Sequence, residues 1–213
     1  FAPTIGKVAT ILGQLVMWAT DQQPFLMGIL VSVIMGIVLT LPISSAAICA
    51  ALGLVGLAGG AAVAGCCAQM VGFAVCSYRE NKVGGLASIG LGTSMLLVPN
   101  LMKKPILWVP PTLTAAITGP IATCVFKMTQ NSAAVSSGMG TCGLVGPIGV
   151  VTGWFSPSEA AVNAGLSAIA PGAMDWIGMI LVCFVLPAIL SWVISEFMRK
   201  KGWIKEGDYA IID

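Results

Sequence analysis

The sequence predicts an all-α, polytopic transmembrane helical bundle interrupted by two broken, re-entrant hairpins. Three observations carry that expectation. Of the 213 residues 57% are hydrophobic and only 8% charged, with a mean hydropathy of +0.98, and a soluble domain with so few charges could not cover its surface with polar groups. Charge is absent over runs long enough to cross a bilayer, which takes about 20 residues per helix. The stretches "VGGLASIGLGTSMLLVPN" and "NSAAVSSGMGTCGLVGPIGVV" are rich in glycine, and such backbone is tolerated at membrane depth only when buried within protein or lining a cavity.

The elements follow in order. Over residues 1–21, Ile5, Val8, Leu12 and Leu15 fall on one helical face and Thr4, Lys7 and Gln14 on others, the pattern of an amphipathic helix lying along the interface. Residues 22–198 form the transmembrane domain. Nothing between Asp21 and Arg79 is charged, and Pro42 with the Ser-Ser pair after it divides that run. One helix is expected from about Phe25 to Leu41 and another from about Ala46 to Tyr78. In the second, Gly56 and Gly60 form G-x-x-x-G, which lets helix backbones approach closely; it packs helices together and would also serve as the seam of a homodimer.

Basic residues set the topology. Arg199, Lys200, Lys201 and Lys205 follow the apolar run from Trp176 to Ser195, so residues 199–213 are expected to be a cytoplasmic tail with Trp203 at the headgroups. Arg79 with Lys82 and Lys103 with Lys104 belong on the same side by the same rule. Residues 83–102 must then enter and leave on that side, as a re-entrant hairpin closed by Pro99. A helix from about Pro105 to Phe126 runs outward, its first turns broken by Pro110 and Pro111. Lys127 and Asp175 lie outside, and residues 129–173 form the second broken hairpin.

Gly138, Gly140 and Gly143 match G-x-G-x-x-G, but a dinucleotide fingerprint needs a preceding strand and a βαβ unit. Neither is available among segments of transmembrane length. The glycines instead supply unwound backbone whose free N–H and C=O groups need a polar partner. Asn131, Ser132, Ser136, Ser137 and Thr141 add donors and acceptors suited to hydroxyl groups, and these five with Glu159 form the candidate ligand-binding set. Glu159 has two readings. In "SPSE", Ser156 would be N-cap, Pro157 N1 and Glu159 N3 of a capping box, while an acid beside broken helices at membrane depth also marks a ligand site. Gln69 and Asn100 suit interhelical hydrogen bonds. Seven cysteines without C-x-x-C spacing, and no histidine, imply neither a metal site nor a disulfide framework. No cofactor is implied. A net charge of +2, spread along the chain, gives no nucleic-acid patch. The first residue, Phe1, is not followed by a signal-peptide pattern, so the chain reads as part of a longer protein.

The runs "QPFLMGILVSVIMGIVLTLPISSAAICAALGL", "GLAGGAAVAGCCAQMVGF", "SMLLVPNLMKKPILWVPPTLTAAITGP" and "SSGMGTCGLVGPIG" resemble the EIIC-like membrane subunits of the bacterial sugar phosphotransferase system, in a branch that also carries a toxin-regulator label. The resemblance runs from about Gln23 to Asp208. It implies an inner-membrane protein, a homodimer, and further N-terminal helices in full-length members. It also implies a permease subunit that binds a sugar or similar polar molecule between broken hairpins and presents a hydroxyl to a cytoplasmic EIIB-like partner. Catalysis would belong to that partnership, since no self-contained nucleophile and base is visible, and Glu159 would be the acid near the reacting hydroxyl. The histidine used by well-studied branches is absent, which leaves a ligand sensor without transport as the alternative.

Overall fold

The computed structural model describes the backbone of residues 2–211, with side chains of the first helix described from Ile11 onward. The described residues form eleven α-helices: α1 Ala2–Gln22, α2 Pro24–Thr40, α3 Ser45–Leu52, α4 Gly56–Cys76, α5 Tyr78–Ala87, α6 Val98–Lys103, α7 Val109–Pro120, α8 Val145–Phe155, α9 Glu159–Asn163, α10 Ala173–Ile180 and α11 Leu186–Lys200. Among the described residues there is no strand, only an antiparallel bridge between Gly56 and Gln130. Within the same residues three continuous helical stretches are long and apolar enough to cross a membrane: Gly56–Cys76, Pro105–Val125 and Ala173–Lys200.

The α4 helix is the axis of the bundle, with 89% of its apolar window buried. Its small residues are why. A Cβ at Gly65 would overlap the Ser32 carbonyl of α2, one at Gly60 the Met128 carbonyl, and one at Gly72 would press on Ser191 of α11 and Pro111 of α7. Backbones pack where side chains are missing, as lipid-immersed helices require. Gln69 joins α4 to α7 by donating to Thr112 Oγ1 at 3.1 Å. Gly56 and Gly60 therefore lie inside the chain and do not offer the dimer seam expected from G-x-x-x-G.

Local chemistry changed two other expectations. The helix expected from Ala46 to Tyr78 is two helices. Ser44 caps α3 by accepting from the Ala47 N–H at 3.2 Å, Gly53 ends it in the left-handed conformation (φ 63°), and the chain then runs extended through Val55 into α4. Only glycine takes that C-cap cheaply. Pro110 and Pro111 do not break their span, because they occupy the first turn of α7, where no backbone N–H is needed. In α1, Val16, Met17 and Thr20 face the bundle, and Leu12 and Leu15, of the expected apolar face, are about half exposed on its outside. Thr4, Ile5, Lys7 and Val8 lie outside the described side chains.

Residues 78–103 leave one end of the bundle and return to it. The helix kinks at Lys82 (φ 52°), passes through a π-turn at Ser88–Gly92, and breaks at extended Thr93 before the short helices leading to Lys103. Both limbs are held by the C-terminal tail. Asn81 donates to the Tyr209 carbonyl at 2.7 Å, Asn100 donates to the carbonyls of Asp208 and Ala210 at 2.7 and 2.8 Å, and Lys104 pairs with Asp208 at 2.5 Å. Tyr209, fully buried, donates from its hydroxyl to the Leu107 carbonyl at 2.9 Å.

Partial burial disfavours the Asp208 charge, but hydrogen bonds from Lys104 and the Lys205 N–H, with the charges of Lys104 and Arg199, outweigh it and hold the carboxyl below its ordinary value. A carboxyl lowered on folding adds stability above its unfolded pKa, and that stability is lost as pH falls through the lowered value. The clasp should thus hold at neutral pH and loosen only below about pH 4. The paired side chains are 20–32% exposed, so the pair contributes less than about 1 kcal/mol. Asp208→Asn should raise tryptic cleavage after Lys205 about two- to fivefold at neutral pH; an unchanged rate would show that the clasp does not depend on this charge.

Candidate functional site

The second broken segment folds as a hairpin with an extended first arm and a helical second arm. Its first arm begins where Gln130 exchanges two backbone hydrogen bonds with Gly56, at 2.8 and 2.9 Å. It continues through a 3-10 turn at Ala134–Gly138, reverses between Met139 and Leu144, and returns as α8. Glycines on α8 let the arms touch. A Cβ at Gly149 would meet Ser136, Gln130 and Ser132, and one at Gly153 would meet the backbone of Asn131 and Ser132.

At the tip, hydroxyl groups satisfy carbonyls that the broken helices leave free. Thr141 Oγ1 donates to the Gly90 carbonyl on the first broken segment at 2.5 Å. Ser137 Oγ donates to the Leu54 carbonyl at 2.8 Å, and Ser45 Oγ to the Gly138 carbonyl at 2.7 Å. The two broken segments and the α2–α3 connection therefore meet. Between them lies a cavity of about 190 Å³, lined by Ser44, Ser45, Met70, Thr93, Met139 and Cys142 among others. Ser137 and Thr141 are themselves fully buried behind this lining; each keeps acceptor capacity on its oxygen, but a ligand hydroxyl reaches it only if the tips part.

At the base, Ser158 joins the second hairpin to α9. Its N–H donates to the Asn131 carbonyl at 2.8 Å and its Oγ to the Ser132 carbonyl at 3.0 Å. The same Oγ accepts from the Ala161 N–H at 3.3 Å. Ser158 is thus the N-cap of α9 and Glu159 its exposed first residue. The expected cap at Ser156 is displaced by two positions, because Ser156 still belongs to the end of α8, its N–H bonded to the Thr152 carbonyl. Glu159 does not close a capping box, so its carboxylate is free of that task.

Asn131 is fully buried, and neither its Oδ1 nor its Nδ2 has a hydrogen-bond partner; the buried Ser132 Oγ is unpartnered as well. Leaving such groups unmet costs about 1–3 kcal/mol each, so they are poised for a polar partner. The six residues picked from sequence separate into two groups. Asn131, Ser132 and Glu159 are gathered at the base, while Ser137 and Thr141 sit at the tip, with half-buried Ser136 over Gly149 between them. The 11 residues of α8 set the groups roughly 16 Å apart. Sequence reasoning missed Ser44, Ser45 and Thr93 at the tip and Ser158 at the base. A Ser-Ser pair after Pro42 between apolar runs was the available signal, and it reads equally well as a simple divider.

A family model described as "Phosphotransferase system, EIIC" matches residues 1–211. No curated protein and no solved structure matches the chain.

Proposed function

This chain belongs to the EIIC family of the phosphotransferase system, the membrane subunits of sugar transport, and on that premise we propose that it binds a sugar along its second hairpin and carries it inward for phosphorylation by a cytoplasmic EIIB-like partner. The observation that carries the reading is the buried, unpartnered Asn131 amide beside Ser132 and Glu159, together with a polar arm leading to the junction of the two tips. Asn131 and Ser132 supply free donors and acceptors, Glu159 the carboxylate near the reacting hydroxyl, and Ser136, Ser137 and Thr141 acceptors along the arm. The cavity of about 190 Å³ is below the usual range of about 300–1,000 Å³ for small-molecule sites, which favours a single sugar ring and requires the tips to part for a larger one. Both broken segments then enter the bilayer from opposite faces, with the basic end of the bundle and the C-terminus in the cytoplasm. A homodimer belongs to the same reading, through faces other than Gly56 and Gly60.

One observation favours ligand sensing without transport: the chain has no histidine to work beside Glu159. Binding and uptake of a labelled sugar panel, measured on the full chain in proteoliposomes, separates the readings. Glu159→Gln should weaken binding of the retained sugar at least tenfold, the effect of losing a hydrogen bond to a charged group, about 1.5–3 kcal/mol, with no loss of thermal stability. Ser158→Ala should lower stability by about 1 kcal/mol through the lost cap. Binding without uptake would establish the sensor, and no sugar bound at all would sink both readings.

A further inference from the structure

The end of the bundle that carries the tail is strongly basic. Arg79, Lys82, Lys103, Lys104, Arg199, Lys200, Lys201 and Lys205 face four carboxylates, Glu80, Glu196, Glu206 and Asp208. Two cavities adjoin there. One, of about 700 Å³, is an apolar groove between the α4–α5 corner and α11, lined by Val75, Leu86, Ile189 and Trp192. Ile189 and Trp192 are each more than half exposed. The other, of about 530 Å³, is lined by Arg79, Arg199, Lys200 and Lys205 with Glu196 and Glu206. Arg79 and Glu196, paired at 2.7 Å, line both, so the apolar groove opens into the basic one.

The charges in the basic cavity are not all spent. Arg199 is 7% exposed at its side chain and uses Nη2 on Glu80 and on the Cys76 carbonyl. Its Nη1 is buried without a partner. Lys200 and Lys205 are exposed beside it, and Glu206 is the one lining carboxylate outside the Arg79 pair. A guanidinium N–H with no acceptor, flanked by two lysines, fits a phosphate oxygen. An apolar groove alongside fits hydrocarbon, which a soluble anion would leave unused.

We propose that the paired cavities form a binding site for an anionic phospholipid, with its phosphate at Arg199, Lys200 and Lys205 and its acyl chains against Leu86, Ile189 and Trp192. Basic pockets between membrane helices recognise anionic headgroups in this way. Arg79 and Glu196 stand at the boundary, where headgroup gives way to chain, and Trp203, half exposed on the tail, lies at the same end, as aromatic side chains do at the headgroup level.

The test uses the full chain purified in neutral detergent, given phosphatidylglycerol and phosphatidylcholine in equal amounts, with retained lipid read by native mass spectrometry. Phosphatidylglycerol should be retained preferentially. Lys200→Gln and Lys205→Gln, both exposed and outside the packed core, should each reduce that preference about fivefold, and added salt should reduce it further. Equal retention of the two lipids would overturn the proposal, as would an undiminished preference in the double variant. Glycerol phosphate added as competitor should be far weaker than the whole lipid. If it displaces phosphatidylglycerol as well as phosphatidylglycerol itself does, the site is one for a free anion and the lipid assignment fails.

Discussion

Gly65→Ala is expected to cost the bundle about 3 kcal/mol or more, a fall in Tm of about 6–12 °C for a chain of this size. Alanine is normally the better helix former by roughly 1 kcal/mol, so the sign of this prediction comes entirely from packing. At Gly65 a methyl group would overlap the carbonyl, carbonyl carbon and Cα of Ser32. Those are backbone atoms of α2, which cannot turn aside as a long side chain can. The α2 helix would have to move outward, and with it Ser32, which holds α7 through a hydrogen bond to the Ala115 carbonyl at 2.8 Å. Gly84→Ala is the control: nothing lies within 4 Å of its added methyl, so stability should hold or rise. Thermal unfolding in mild detergent, followed by size-exclusion recovery, reads both variants. Equal melting temperatures for the two would show that close backbone contact at α4 is not what holds the helices together.

The second large effect is expected at the Arg199–Glu80 pair. Both side chains are 7% exposed, and Arg199 Nη2 donates to the Glu80 oxygens at 2.9 and 3.1 Å and to the Cys76 carbonyl at 3.0 Å. The pair joins the end of α11 to the start of α5, with the cation at a helix C-terminus and the anion in a first turn, the orientation that helix dipoles favour. Glu80→Gln leaves a buried guanidinium without its counter-charge, which costs about 3–5 kcal/mol when desolvation is complete. Removing both charges should cost much less, because no uncompensated charge remains. A double-mutant cycle with Glu80→Gln and Arg199→Gln measured by thermal unfolding is therefore expected to be strongly non-additive. Additive losses of under about 1 kcal/mol each would mean that water reaches the pair and screens it.

How much was legible beforehand depended on the kind of signal. Composition and charge spacing announced a helical membrane protein, because a bilayer imposes length and polarity on every crossing. The helix of Pro24–Thr40 could be read within a residue or two, since proline marks its start and another follows its end. The split of α3 from α4 could not. Gly53 and Gly56 read as small packing residues in a long apolar run, and only the left-handed turn at Gly53 and the pairing of Gly56 with the Gln130 backbone show that the chain opens there. The site followed the same division. Glycines and hydroxyls marked an unwound arm, but Ser137 and Thr141 spend their donors on the Leu54 and Gly90 carbonyls, partners 83 and 51 residues away.

The sequence by itself determined the class of the protein, the basic end, and the two segments that could not stay helical, because hydropathy, charge and glycine content act locally along the chain. Only the tertiary structure decided which glycines face which backbones, that Ser158 and not Ser156 caps α9, and that Asn131 is the amide left buried without a partner. Those outcomes are pairings between segments far apart in the chain, and a pairing is set by the geometry of both partners at once, which no single stretch of sequence contains.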